Sequence, residues 1–253
     1  MKPVTLSKRL QAVVSMVTVG NRVCDVGCDH GFVSIYLIEH GISPGVLAMD
    51  VRSGPLDTAR KHITERGLNS QIGTRMSDGL HNYNIGEADT LICAGMGGRL
   101  MMQILSDDKD KTESFRELIL QPQSEIEHFR KWLRERGYRI TEEKMIEEDD
   151  KFYPMMRVVT ELCKPAVEGI LSKSNNGDVT ELCKLENRYG ALLLQRKDRT
   201  LADFLRREER IYNEILTGLR AKGLSDAKRE SRYAEVSELL QDCRRALEIV
   251  SSE

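Results

Sequence analysis

From Arg22 to Gly137, short apolar runs alternate with longer stretches in which apolar residues recur every three or four positions. Strands buried on both faces read as continuous apolar runs and surface helices as periodic ones, so the alternation predicts an α/β fold, a parallel sheet with helices on both sides. Strands are expected at Arg22 to Val26, Val46 to Met49, Ile72 to Met76, Thr90 to Ala94 and Leu118 to Gln121. Helices are expected at Phe32 to His40, Pro55 to Arg66 and Glu125 to Arg136, with Gly41, Gly67, Gly86 and Gly137 as breakers at element ends. Beyond Gly137 the period changes. Tyr138 to Glu147 and Phe152 to Leu162 read as two extended runs joined by an acidic turn, an antiparallel hairpin that brings the sheet to seven strands.

The chain then becomes rich in Ser, Asn and Gly, and residues 164–190 are read as a linker between a domain at 1–163 and a helical tail at 191–253. The hexamer Val159 to Lys164 recurs as Val179 to Lys184, a local duplication too short to mark a solenoid. In the tail, Leu201, Phe204, Ile211, Ile215 and Leu219 form one stripe and a turn is expected at Lys222 and Gly223. Tyr233, Val236, Leu240, Cys243, Leu247 and Val250 follow at spacings of three and four, a heptad seam. The two helices are therefore expected to pair as an antiparallel, coiled-coil-like hairpin. One chain satisfies the seam by itself, so a monomer is expected, with a dimer through the hairpin as the alternative.

A length of 253 residues suffices for one α/β domain and a smaller appendage. With 31% charged against 40% hydrophobic residues the composition is that of an ordinary soluble protein, and a net charge of -2 gives no global basic signature. Contact with a nucleic acid would have to use a local patch. Met1 to Leu10 is followed by no uninterrupted apolar run, and no segment approaches the roughly 20 apolar residues that cross a bilayer. A cytoplasmic protein with no membrane partner is expected. The six cysteines are scattered; Cys24 and Cys28 lie four apart, but no second Cys/His pair completes a zinc set, so reduced buried thiols and no metal are expected.

In a parallel sheet the ligand lies beyond the carboxyl ends of the strands, where the strand order reverses. Asp25, Gly27 and Gly31 follow the first predicted strand there, and Asp50 ends the second. Gly27 permits a tight turn, Gly31 lets a helix approach, and the Asp50 carboxylate offers two oxygens at the separation of two ribose hydroxyls. A dinucleotide site would carry G-x-G-x-x-G to seat pyrophosphate on a helix N-terminus. Here Gly27-Cys28-Asp29-His30-Gly31 sets an acid in mid-loop, which repels pyrophosphate and favours a cofactor with a cationic tail, S-adenosylmethionine, over NAD. A glycine turn that binds nothing is the plain alternative. After the third strand, Ser77-Asp78-Gly79 sets an acid to accept from an adenine amino group or simply to hold a turn. After the fourth, Gly95-Met96-Gly97 brings backbone close to a ligand with Met96 as an apolar wall, or forms a tight start to a helix.

Four motifs in order make the chain resemble the bacterial tRNA (adenine(22)-N(1))-methyltransferase family. They are Leu6-Ser7-Lys8-Arg9-Leu10-Gln11, Asp25-Val26-Gly27-Cys28-Asp29-His30-Gly31, Ile92-Cys93-Ala94-Gly95-Met96-Gly97-Gly98 and Leu118-Ile119-Leu120-Gln121-Pro122-Gln123. The likeness continues to the stretch Tyr189 to Leu194. It implies a Rossmann-like, seven-stranded class I methyltransferase domain with a C-terminal helical hairpin, S-adenosylmethionine as donor with S-adenosylhomocysteine as product, tRNA as partner and N1-methyladenosine as the modification. Gln123 departs from the family pattern, which has asparagine there.

Adenine N1 is neutral near pH 7 and carries an in-plane lone pair, so its attack on a methyl sulfonium needs no prior deprotonation, and the product is a cation. Negative charge near the base is therefore useful. Asp29, on the loop beside the cofactor, is the candidate, with the donor's ammonium as its other possible partner; His30 is expected to hydrogen-bond within the loop or to contact cofactor or substrate. Gln121, Pro122 and Gln123 end the fifth strand and are placed to wall the base pocket, unless they form only a strand-to-helix turn. Lys2, Lys8, Arg9, Arg52 and Arg99 are expected to touch RNA phosphates, whereas Arg130, Lys131, Arg134 and Arg136 read as a solvated helix face. A methyltransferase for another RNA or a small acceptor, and a non-catalytic module that binds tRNA, are the competing functions.

Overall fold

The computed structural model describes residues 3–160, 178–221 and 227–252. Lys2, the turn at Lys222 and Gly223, and residues 161–164 of the first hexamer copy lie outside the described residues. The chain divides into two compact units, Met1–Gly169 and Ile170–Glu253.

In the first unit β1 (Val23–Val26), β2 (Val46–Asp50), β3 (Ile72–Met76), β4 (Thr90–Met96) and β5 (Glu117–Pro122) run parallel. The strands β6 (Arg139–Glu148) and β7 (Lys151–Val159) complete the sheet as an antiparallel hairpin, in the order β3-β2-β1-β4-β5-β7-β6. All seven predicted strands are present. The hairpin turns on Asp149 and Asp150, whose φ angles of 51° and 57° are left-handed, as a two-residue turn between right-twisted strands requires.

Helices α1 (Lys8–Val14), α2 (Phe32–Glu39), α3 (Ser53–Glu65), α4 (Gly98–Asp107), α5 (Lys109–Glu113) and α6 (Ile126–Glu135) flank the sheet. Because successive strand side chains point to opposite faces, Val23, Ile92, Ile119 and Met155 share one core cluster with α1, α2 and α3. Their neighbours Cys24, Leu91, Leu118 and Met156 share another with α4 and α6. The order of the sheet sends β2 and β3 to one side of β1 and β4 and β5 to the other, which opens a crevice at the carboxyl ends of β1 and β4.

Two anchors hold α1 against the β6–β7 hairpin. Glu148 accepts the backbone N–H groups of Lys8 (2.6 Å) and Arg9 (3.4 Å), and the Lys144 ammonium donates to the Ser15 hydroxyl (2.9 Å). On α6 one of the four cations expected in solvent is buried instead: Arg130 is 3% exposed, its Nε 2.8 Å from Oε1 of Glu143 on β6, which is 1% exposed. Phe129, Arg130 and Leu133 share the helix face that packs inward, so the arginine follows its neighbours and needs a buried carboxylate.

The second unit holds α7 (Asp178–Tyr189), α8 (Ala191–Gln195), α9 (Arg199–Ala221) and α10 (Ala227–Ser251). Residues read as the second half of the linker are thus the helix α7, fixed by Lys184 and Arg188, which both reach the buried Asp242 carboxylate of α10 (2.9 and 2.8 Å). The long helices α9 and α10 pair through Leu216, Val236 and Leu240, with Tyr212, Ile215 and Tyr233 against them. The stripe differs from expectation at one place: it passes through Tyr212, whose hydroxyl donates to Glu208 (2.8 Å), and leaves Ile211 39% exposed, roughly 100° round the helix.

Candidate active site

The loop after β1 is held by backbone: the N–H groups of Gly27 and Cys28 donate to the Met49 carbonyl (2.8 and 3.0 Å), and that of Gly31 to the Cys28 carbonyl (2.8 Å). Gly27 has φ +75°, and a Cβ there would stand 2.1 Å from the Met96 methyl. Gly31, at φ +77°, lets the start of α2 lie against Ala59 of α3, whose Cβ would be 3.0 Å from an added one. Between them Asp29 takes φ 50°, and its N–H donates to Oδ2 of Asp50 (3.3 Å). The other oxygen of Asp50 accepts the N–H of Arg52 (2.9 Å), so the carboxylate at the end of β2 is fixed through both oxygens while only 5% exposed.

One residue short of the end of β1 lies Asp25, 4% exposed. Burial pushes its carboxyl up from 3.8 to about 6, against the Ser34 hydroxyl that donates to Oδ2 (2.7 Å), and the charge of Asp50 pushes the same way. After β3, the Ser77 hydroxyl donates to the Gly79 carbonyl (2.9 Å) and accepts from Asn82 (3.0 Å), leaving Asp78 exposed at the tip of the turn. At the end of β4 the ladder with β5 slips between Ala94 and Met96, a bulge on Gly95 at φ +80°, and Met96 is thereby turned toward Gly27.

These loops enclose a cavity of about 530 Å³, within the usual range for small-molecule sites. Of the predicted cofactor residues, Asp25, Gly27, Asp29, His30 and Asp50 line it from β1 and β2, and Ser77, Asp78, Gly79, Gly95 and Met96 from β3 and β4. Gly31 and Gly97 stand behind the wall, where they set helix approach. Gln123 lines the cavity, but Gln121 and Pro122 are buried off it. Gln121 instead accepts Nη1 of Arg9 (2.7 Å) and donates to the Pro122 carbonyl (3.1 Å). Among the predicted phosphate contacts, Arg9 and Arg52 line the cavity, while Lys8 and Arg99 are exposed away from it; the Arg99 side chain is 85% exposed, with Nη2 3.6 Å from Glu125.

Three apolar rim residues escaped the sequence reading: Phe32, Val51 and Leu100 line the cavity and are 41%, 57% and 47% exposed. Their signal was position, since each stands within two residues of a strand-end motif. Phe32 stacks on His62 (centroids 5.0 Å apart, planes 20°), and a ring nitrogen of His62 lies 3.0 Å from the His30 carbonyl.

Electrostatically the cavity is an acid-lined one, with Asp25, Asp29, Asp50 and Asp78 on its walls against Arg9 and Arg52. That balance is hostile to pyrophosphate and fits a donor bearing a sulfonium and an ammonium. Gly27, with no room for a Cβ, is a cradle for close approach, and Asp50 is held to face a diol, so the residues present fit S-adenosylmethionine. Burial pushes the Cys28 thiol up and that of Cys93 to about 12, so neither serves as a thiolate nucleophile. Among the described residues no group of three or more His, Cys, Asp or Glu is placed to hold a metal ion, and no helix is long and apolar enough to cross a membrane.

Residues 6–156 match the family model of a methyltransferase domain. Over 156 residues the chain is 38% identical to the tRNA (adenine(22)-N(1))-methyltransferase of Bacillus subtilis (strain 168), a stretch covering 62% of this chain and 66% of that protein. The crystal structure of the B. subtilis m1A22 tRNA methyltransferase TrmK superposes with a TM-score of 0.78 at 27% identity, over 96% of this chain and 99% of that one. The complex of Streptococcus pneumoniae Sp1610 with S-adenosyl-L-methionine superposes with a TM-score of 0.79 at 27% identity, over 96% and 100%. The family match spans more than half of the chain and contains every residue that lines the cavity, so this Rossmann-like protein belongs to the methyltransferase-domain family.

Proposed function

We infer that the protein methylates N1 of adenine 22 in tRNA with S-adenosylmethionine as donor. The acid-lined cavity around a fixed Asp50 carries the donor half of this reading. Similarity to the B. subtilis enzyme of that activity supports the acceptor half, and the S-adenosylmethionine complex of Sp1610 supports the donor.

When bound, S-adenosylmethionine supplies an electrophilic methyl group on a sulfonium. Asp50 accepts the ribose hydroxyls at the end of β2, and the bulge at Gly95 lets the β4 backbone approach the tail. Phe32, Val51 and Leu100 form an apolar rim that shields flat bases from water. Because the lone pair of N1 is free at neutral pH, no residue has to remove a proton before attack, and His30 needs no role as a base. Asp29, its side chain 62% exposed at the mouth of the cavity, places negative charge where the adenine becomes cationic. The exposed Arg52 lines the cavity and offers positive charge to phosphates, and Lys8 and Arg99 are exposed cations off the cavity.

The test is nucleoside mass spectrometry of unmodified tRNA transcripts after incubation with the protein and donor. About one N1-methyladenosine per tRNA is expected, and none when nucleotide 22 is guanine. Incorporation into ribosomal RNA or small molecules but not tRNA refutes the reading. Asp50→Ala should abolish donor binding in calorimetry, and unchanged affinity refutes the ribose assignment.

A further inference from the structure

We propose that Phe32 and His62 form a platform on which the base of a nucleotide next to the target adenine stacks, which positions the RNA over the donor. The proposal rests on the acceptor reading above. Of the five phenylalanines, Phe115 and Phe129 are buried, and Phe32 alone is exposed, at 41%. Its ring centre lies 5.0 Å from that of the His62 imidazole with the planes 20° apart, and the His30 ring meets both edge-on at 6.1 and 6.4 Å.

Packing of α2 on α3 does not require this ring. The close approach is made one residue earlier, where the bare Gly31 meets Ala59, and Phe32 lies beyond it and lines the cavity. The imidazole takes one face of the phenyl ring and leaves the other to the mouth of the cavity. The pair is held in place: Phe32 is the first residue of α2, and Nδ1 of His62 lies 3.0 Å from the His30 carbonyl oxygen. An exposed aromatic face is a poor partner for water and a good one for a base, because every base has a π-face. Helix α3 also brings cations for neighbouring phosphates, Arg52 at its N-cap with the side chain 69% exposed and Lys61 next to His62 with 73%. Asp29, set against the target adenine in the reading above, is separated from Phe32 by His30. Nε2 of His30 is 3.7 Å from Oδ1 of Asp29, and its ring centre is 6.1 Å from that of Phe32. The base on Phe32 is therefore a neighbour of the target. Taking the adenine out of its stack leaves that neighbour bare on one side, and the platform supplies a new partner.

A double-mutant cycle between protein and RNA tests the platform. Binding of tRNA transcripts is read by fluorescence anisotropy in the presence of S-adenosylhomocysteine, with an abasic nucleotide placed on either side of adenine 22 in turn. Phe32→Leu, which keeps an apolar side chain and removes the ring, should weaken binding of intact tRNA by about 10- to 100-fold, the range of one base–aromatic stack. One of the two abasic transcripts should bind the wild type equally weakly, and Phe32→Leu should weaken that transcript further by no more than about twofold. Phe32→Tyr, which keeps the ring, should recover most of the affinity. Losses that multiply at both abasic positions would overturn the proposal. So would an equal loss of affinity for S-adenosylhomocysteine in calorimetry, which makes Phe32 part of the donor site, or a matching fall in stability to urea, which makes it part of the fold. Methyl transfer to adenine 22 with tRNA binding untouched by Phe32→Leu would sink the platform alone. The expected binding pattern without methyl transfer to adenine 22 would sink the acceptor reading and leave the platform standing.

Discussion

Replacing Asp25 by asparagine should stabilise the ligand-free protein at alkaline pH and weaken its hold on the donor. The Asp25 carboxyl is buried and held at about 6 rather than 3.8, so ionising it inside the fold costs more than ionising it in the unfolded chain. At about 1.36 kcal/mol per pH unit the difference is ~3 kcal/mol, present in full above pH 7. The sign follows from proton counts. Between the two values the folded protein binds more protons than the unfolded one, so this penalty on stability grows as pH rises from 3.8 through 6 and vanishes below 3.8. Asparagine does not titrate and keeps an oxygen for the Ser34 hydroxyl, although its amide adds donors that cost about 1–2 kcal/mol if unpartnered. The pH dependence of the difference between the two proteins is therefore the clean quantity. Urea denaturation of both, without donor, should show the variant gaining ~1.5 kcal/mol relative to wild type between pH 5 and pH 8. At pH 8 its affinity for S-adenosylmethionine should be about tenfold lower, the loss of one ~1.4 kcal/mol attraction to a cation. A stability difference that is flat with pH, or that moves against the variant as pH rises, would refute the assignment of a raised carboxyl to Asp25.

Asp29→Ala should cut turnover by about tenfold or more while donor affinity stays within about twofold, and a parallel fall in affinity would make Asp29 a donor ligand instead. Gly27→Ala forces the Met96 methyl from a position 2.1 Å from the new Cβ and puts alanine at φ +75°, a conformation costing about 1–2 kcal/mol. Donor affinity in calorimetry should fall, and adding Met96→Ala should restore only part of it because the backbone strain remains. Arg130→Met leaves Glu143 buried without its ion-pair partner and should lower stability to urea by about 3–5 kcal/mol. A loss under about 1 kcal/mol would show that the pair is solvated in solution.

The sequence by itself determined the seven strands, the hairpin turning on Asp149 and Asp150, and the acids and glycines at the carboxyl ends of β1 to β4. Those features are local: an apolar run is a strand wherever it is buried on both faces, and strand ends in a parallel sheet face the ligand whatever the helices do. What depended on residues distant in the chain was decided only by the tertiary structure. Arg9 turns from the surface into the cavity because Gln121, 112 positions later, accepts its Nη1, and that same bond removes Gln121 from the pocket wall. Arg130 leaves the solvated face because Glu143 on β6 lies beneath it. The pair Val-Thr begins both hexamer copies, yet Val159 ends a strand paired to Arg139, while Val179 lies in the helix α7. The same letters take either form because backbone preference differs by less than packing contributes, and packing is set by neighbours that the local sequence does not contain.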